Sequence, residues 1–214
     1  MASWRHYVVP FAIFILLTEI SKHFPEQAYL FYSLKAVLVG GLLFFWRHIY
    51  QELWVKARWR DLLLGVWVGL GVLAFWVGAE PLFPALGQAR GFAPQEFGLG
   101  PLGTWVVVFF RLAGAVLVVP IMEELFWRSF LMRYLINKNF YEVPLGSYTH
   151  FSFWAVAVLF ALEHFRIVPG LVAGVAYGGL LCLTKNLRVP ILAHAVTNLG
   201  LGIYVLLTHQ WQFW

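Results

Sequence analysis

The sequence predicts an all-α polytopic membrane protein, a bundle of about seven to eight transmembrane helices enclosing a polar cavity. Three observations carry this. Only 12% of the residues are charged and 61% are hydrophobic, with a mean hydropathy of +0.76; a soluble domain carries about 25% charge. Seven apolar runs approach the roughly 20 residues that cross a bilayer. Three short polar clusters fall within or beside these runs: Glu123-Glu124-x-x-x-Arg128, Phe160-x-x-x-His164 and His194-x-x-x-Asn198. An ionisable side chain at the bilayer centre costs about 2.5–3.5 kcal/mol on insertion scales, so these groups are expected to meet and satisfy one another.

The expected helices span about 6–21, 28–46, 61–79, 102–120, 150–165, 168–184 and 190–208. Proline or charge marks the breaks: Lys22 to Pro25, Arg47 to Arg60, Pro81 to Pro101 and Lys185 to Pro190. The first run follows Arg5 and His6, as a signal peptide would. No small-x-small cleavage site follows, so an uncleaved helix is expected. Residues 121–137, after Pro120, remain apolar and helical in pattern. They predict either one long, kinked helix continuous with 102–120 or a separate interfacial helix. Gly170, Gly174 and Gly178 share a helix face, as do Gly65 and Gly69, and such stripes predict close helix packing.

Nineteen per cent of the residues are aromatic, eleven of them Trp, consistent with rings at headgroup level. The single Cys182 excludes an intrachain disulfide. The net charge of +5 fits cytoplasmic anchoring better than nucleic-acid binding. With the N-terminus inside, ten Lys and Arg fall on the inner side, including Arg128 and Arg133, against Lys22, Arg90 and Arg166 outside. Lys35 and Arg111 lie within spans. No repeat or linker divides the chain, so residues 1–214 are expected to form one domain.

The clusters have chemical content. Residues four apart share a helix face, so Glu124 aligns with Arg128 and the two can neutralise each other. Glu123 projects elsewhere and has no partner within its helix, which leaves it free to act. Glu163 is expected to be a solvated neighbour of His164. His194 and Asn198 share one face of the last helix, where polar groups need partners or water. A carboxylate can serve as general base towards water, and an imidazole can share or pass on that proton. A second imidazole and a carboxamide can donate to an oxyanion. No Ser-His-Asp set and no HExxH motif is present. Two other readings stay open. Glu123, His164 and His194 have the donor types of a zinc site, and membrane Glu and His chains also serve proton relays and transporters.

In order and spacing, the three clusters resemble the type II CAAX prenyl endopeptidases, whose bacterial branch is called CPBP. The motifs are Glu123-Glu124-Leu125-Phe126-Trp127-Arg128, Phe160-Ala161-Leu162-Glu163-His164 and His194-Ala195-Val196-Thr197-Asn198. The resemblance covers about residues 103–205 and is also similar to short bacterial members associated with exosortase systems. It implies an intramembrane glutamate-dependent endopeptidase of the bacterial cytoplasmic membrane, acting on a membrane-associated or lipidated peptide or protein. Glu123 with His164 would activate water, His194 with Asn198 would stabilise the oxyanion, and Arg128 would orient the first motif through Glu124. It implies no catalytic metal. Bringing these groups together requires a tilted or broken helix around Pro120, or motif depths that differ from the counted spans.

Overall fold

The computed structural model describes residues 3–83 and 91–214. Arg90, assigned above to an outer loop, lies outside the described residues. Seven helical runs make up the bundle: α1 (Arg5–Ser21), α2 (Ala28–Phe45), α3 (Trp59–Gly78), α4 (Gly100–Tyr134), α5 (His150–Leu162), α6 (Ile167–Thr184) and α7 (Arg188–Thr208). Strands are absent among the described residues. Five stretches, Pro25–Phe45, α3, α4, α6 and α7, are long and apolar enough to cross a membrane, while α5 is shorter. Large apolar side chains such as Leu34, Phe44, Trp67, Trp105 and Phe109 are exposed on the outside of the bundle, as lipid-facing residues should be.

The segment after Pro120 continues the fourth helix instead of leaving it. α4 runs unbroken for 35 residues, with π-helical stretches at Gly114–Val118 and Glu124–Leu131. The first stretch accommodates the proline. Val119 N–H reaches back to Gly114 O in the wider π pattern, and Pro120 has no N–H to offer. Ala115 O thereby loses both its α-type and its π-type donor. Arg128 and Arg133 fall within α4, which leaves eight of the ten cations expected on the inner side outside this helix.

Helix ends follow local chemistry. Thr149 Oγ1 accepts from Ser152 N at 3.1 Å and caps α5. Lys185 and His209 adopt left-handed backbone angles, φ 55° and 57°, and stop α6 and α7. The glycine stripes pack as expected. A Cβ at Gly174 would sit 3.0 Å from Ala157 O, so α6 lies directly on α5. A Cβ at Gly69 would collide with Ala193 O, which fixes α3 against α7.

Two polar ties hold the ends of the bundle. At the end bearing the N-terminus, Glu52 accepts from Tyr7 Oη at 3.0 Å and from Ser129 Oγ, with Arg133 Nη2 at 3.7 Å. At the opposite end, Arg166 from the α5–α6 turn holds both carboxylate oxygens of Glu80 at 2.6 and 2.7 Å and donates to Gln212 O at 3.0 Å. That bidentate pair joins the turn to the exit of α3 and to the short C-terminal turn Trp211–Phe213.

Candidate active site

The second π stretch of α4 presents the first motif. Glu124 and Arg128 are fully buried and pair at 3.2 Å through Oε1 and Nη1, as their spacing predicted. Arg128 also donates to Gly174 O at 3.4 Å and lies 4.2 Å above the centre of the Phe160 ring. The phenylalanine that opens the second motif thus supplies an aromatic face for the cation of the first.

Glu124 does more than neutralise Arg128. Its Oε1 also accepts from His194 Nδ1 at 3.1 Å, which ties α4 to α7. The His194 ring stacks on Tyr177, with centroids 5.0 Å apart and planes 20° apart. Tyr177 Oη donates to Thr197 Oγ1 at 2.8 Å, and Thr197 lies 2.9 Å from Gly69 O and 3.0 Å from Ala193 O. These contacts fix the imidazole in one orientation.

Glu123 is buried, and its Oε2 has no hydrogen-bond partner among the described residues. His164 follows the last turn of α5. Its Nδ1 lies 2.8 Å from Phe160 O. A carbonyl only accepts, so Nδ1 carries the proton and Nε2 of the neutral ring carries the lone pair. The edge of Trp76, 5.4 Å away between centroids, holds the ring from α3. Asn198 Nδ2 donates to Ala115 O at 2.7 Å. This is the carbonyl stranded by the π stretch and Pro120, so the carboxamide completes the helix as well as facing the site.

Glu123, His164, His194 and Asn198 line one cavity of about 350 Å³. Simple rise explains how they share a level. Eleven residues separate Glu123 from Tyr134, about 16 Å, and fourteen separate His164 from His150, about 20 Å. The site needs no break at Pro120, because α5 is short and α4 long. A wider cavity of about 1110 Å³ adjoins it and opens towards the C-terminal end. Trp76, Arg111, Glu163, His164, Phe213 and Trp214 line both.

Three features were not read from the sequence. Glu163, expected to be a solvated neighbour, lines both cavities and has a buried Oε2 without a partner among the described residues. Tyr177 and Thr197 carried no motif signal, although their spacing on α6 and α7 places them on the faces that meet. Lys35 and Arg111 were visible as cations within spans, and both prove to line the smaller cavity. Among the described residues, no three His, Cys, Asp or Glu side chains converge as a metal-ligand set.

Residues 104–200 match the family model of the Rce1-like proteins, described as type II CAAX prenyl endopeptidase Rce1-like. This segment is similar to that family. The match starts inside α4, ends inside α7 and takes in all three motifs. The family's description names a prenyl endopeptidase, and five stretches of the bundle are long and apolar enough to cross a membrane. No curated protein and no solved structure matches the chain. The first three helices lie outside the Rce1-like segment, yet Thr18, Lys35 and Trp76 from them help to wall its cavity.

Proposed function

We propose that the protein hydrolyses a peptide bond of a membrane-associated or lipidated protein by a glutamate-dependent mechanism without a catalytic metal. The cytoplasmic membrane of a bacterium is the proposed location, with the N-terminus inside. The observation that supports this reading is the meeting of Glu123, His164, His194 and Asn198 on one cavity large enough for water.

In this reading the Glu123 carboxylate takes a proton from water, with the His164 Nε2 lone pair orienting that water. The resulting hydroxide attacks the scissile carbonyl carbon. His194 and Asn198 donate to the oxyanion of the tetrahedral intermediate. Asn198 has a second Nδ2 hydrogen beyond the one on Ala115 O. His194 already directs its Nδ1–H to Glu124, so donation from Nε2 requires the imidazolium, whose second N–H would then face the cavity. Collapse of the intermediate breaks the C–N bond. The proton held by Glu123 passes to the leaving amine, giving one new carboxylate and one new amine.

The test compares wild type with Glu123→Gln in proteoliposomes containing a library of membrane-anchored peptides, with new termini read by mass spectrometry. Wild type is expected to generate termini that the variant does not. Equal cleavage by both overturns the assignment of the base.

A further inference from the structure

The buried cations of this bundle and the half-buried Arg111 fall into two groups. Arg128, Arg133 and Arg166 each lie within 4 Å of a carboxylate, those of Glu124, Glu52 and Glu80. Lys35 and Arg111 have no such partner among the described residues, and residues 84–90 contain no Asp or Glu. Lys35 spends one hydrogen on Thr18 Oγ1 at 2.7 Å and otherwise faces the rings of Phe14 and Tyr32 at 4.2 and 4.9 Å. The Arg111 guanidinium makes no hydrogen bond among the described residues, and its buried Nε is without a partner. It rests on the rings of Tyr32 and Phe92 at 4.2 and 4.8 Å.

Both cations open onto the cavity that holds Glu123 and His164. They approach it from different helices, α2 and α4, with Tyr32 between them. Lys35 is about 10 Å along α2 from its start, and Arg111 about 16 Å along α4 from its start, so both belong to the half nearer the opening. Aromatic faces hold the two heads in place but leave their N–H donors free. A charge kept in a membrane interior without a counterion implies that the counterion arrives from elsewhere.

We infer that Lys35 and Arg111 form an anion-binding subsite of this cavity, which holds a carboxylate of the peptide substrate. The subsite lies towards the opening and Glu123 lies deeper, so a peptide gripped here by its acidic group extends inwards past the catalytic carboxylate. The inference rests on the peptidase reading for the nature of the ligand as a peptide. The geometry of the two cations does not depend on that reading.

The test is binding, measured apart from cleavage. The detergent-purified full chain is titrated with N-dodecanoyl-Ala-Leu-Val bearing a free carboxylate, with its C-terminal amide, with the N-dodecanoyl-Ala-Glu-Val amide, and with dodecyl phosphate. Quenching of tryptophan fluorescence, to which Trp76 and Trp214 contribute, reports occupancy. At least one carboxylate probe is expected to bind tenfold or more tightly than the uncharged amide; the two acids distinguish a terminal from a side-chain carboxylate. Lys35→Met and Arg111→Met are each expected to reduce the preference to within twofold. Lys35→Arg and Arg111→Lys, which keep the charge, are expected to retain most of it, so a variant that misfolds does not decide the matter. Equal binding of acids and amide by wild type, or no binding of any, overturns the subsite. So does a preference that survives in both Met variants, or tighter binding of dodecyl phosphate, which would assign the cations to a lipid headgroup. A Glu123→Gln protein that keeps the acid preference but cleaves nothing supports the subsite and the base together. A wild type that prefers acids but cleaves no library peptide removes the peptidase reading and leaves the anion site standing.

Discussion

Replacing Glu124 with Gln retains the side chain's shape and removes the only carboxylate within 4 Å of Arg128 among the described residues. Both partners are fully buried, so no solvent is at hand to replace the lost charge. Breaking a buried pair by removing one partner destabilises by about 3–5 kcal/mol, because the other charge stays uncompensated. Gly174 O and the Phe160 ring soften that loss, which favours the lower end, about 3 kcal/mol. Unfolding in mixed micelles, titrated with denaturing detergent, reads the difference. The double variant Glu124→Gln/Arg128→Met removes the charge as well as its partner and is expected to recover most of the stability. It is not expected to recover activity, since His194 still lacks the carboxylate that holds its Nδ1–H and orients the ring. A transition-state loss of about 3 kcal/mol corresponds to about a hundredfold in rate. A single variant less than 1 kcal/mol below wild type, or a double variant with wild-type turnover, would refute the claim that Glu124 serves both Arg128 and His194.

Two further outcomes follow from the geometry. Asn198→Ala leaves Ala115 O without a donor, so it is expected to cost about 1–3 kcal/mol of stability and to lower kcat about a hundredfold through the lost oxyanion donor; micelle unfolding and turnover measure the two separately. Incubation with 1,10-phenanthroline or EDTA followed by desalting is expected to leave proteolysis unchanged, and a loss of activity restored by zinc would overturn the metal-free mechanism.

The helices were legible because lipid imposes one rule over long stretches. Each span must be apolar and about 20 residues long, and six of the seven expected runs match the observed helices within a few residues, while the fourth runs on to Tyr134. The fourth was ambiguous because a proline signals a kink on its own. Only the fold reveals that Asn198, from a helix about 80 residues away in sequence, satisfies the carbonyl that proline strands. The Glu124–Arg128 pair followed from i,i+4 spacing. The bond from His194 to Glu124 did not, since it depends on how α7 packs on α4. Glu163 was misread because, on α5 alone, it looks like the first residue beyond an apolar run. The shortness of α5 is what carries it into the cavity.

Helix α5 has thirteen residues and covers about 20 Å, while the hydrocarbon layer is about 30 Å thick. The remaining depth above its tip is bounded by longer neighbours, and the Arg166–Glu80 clamp keeps that tip from riding upwards. The wider cavity lies against that tip, where it meets Glu163 and His164, so water has a route to these side chains through the protein's own shape and not through acyl chains.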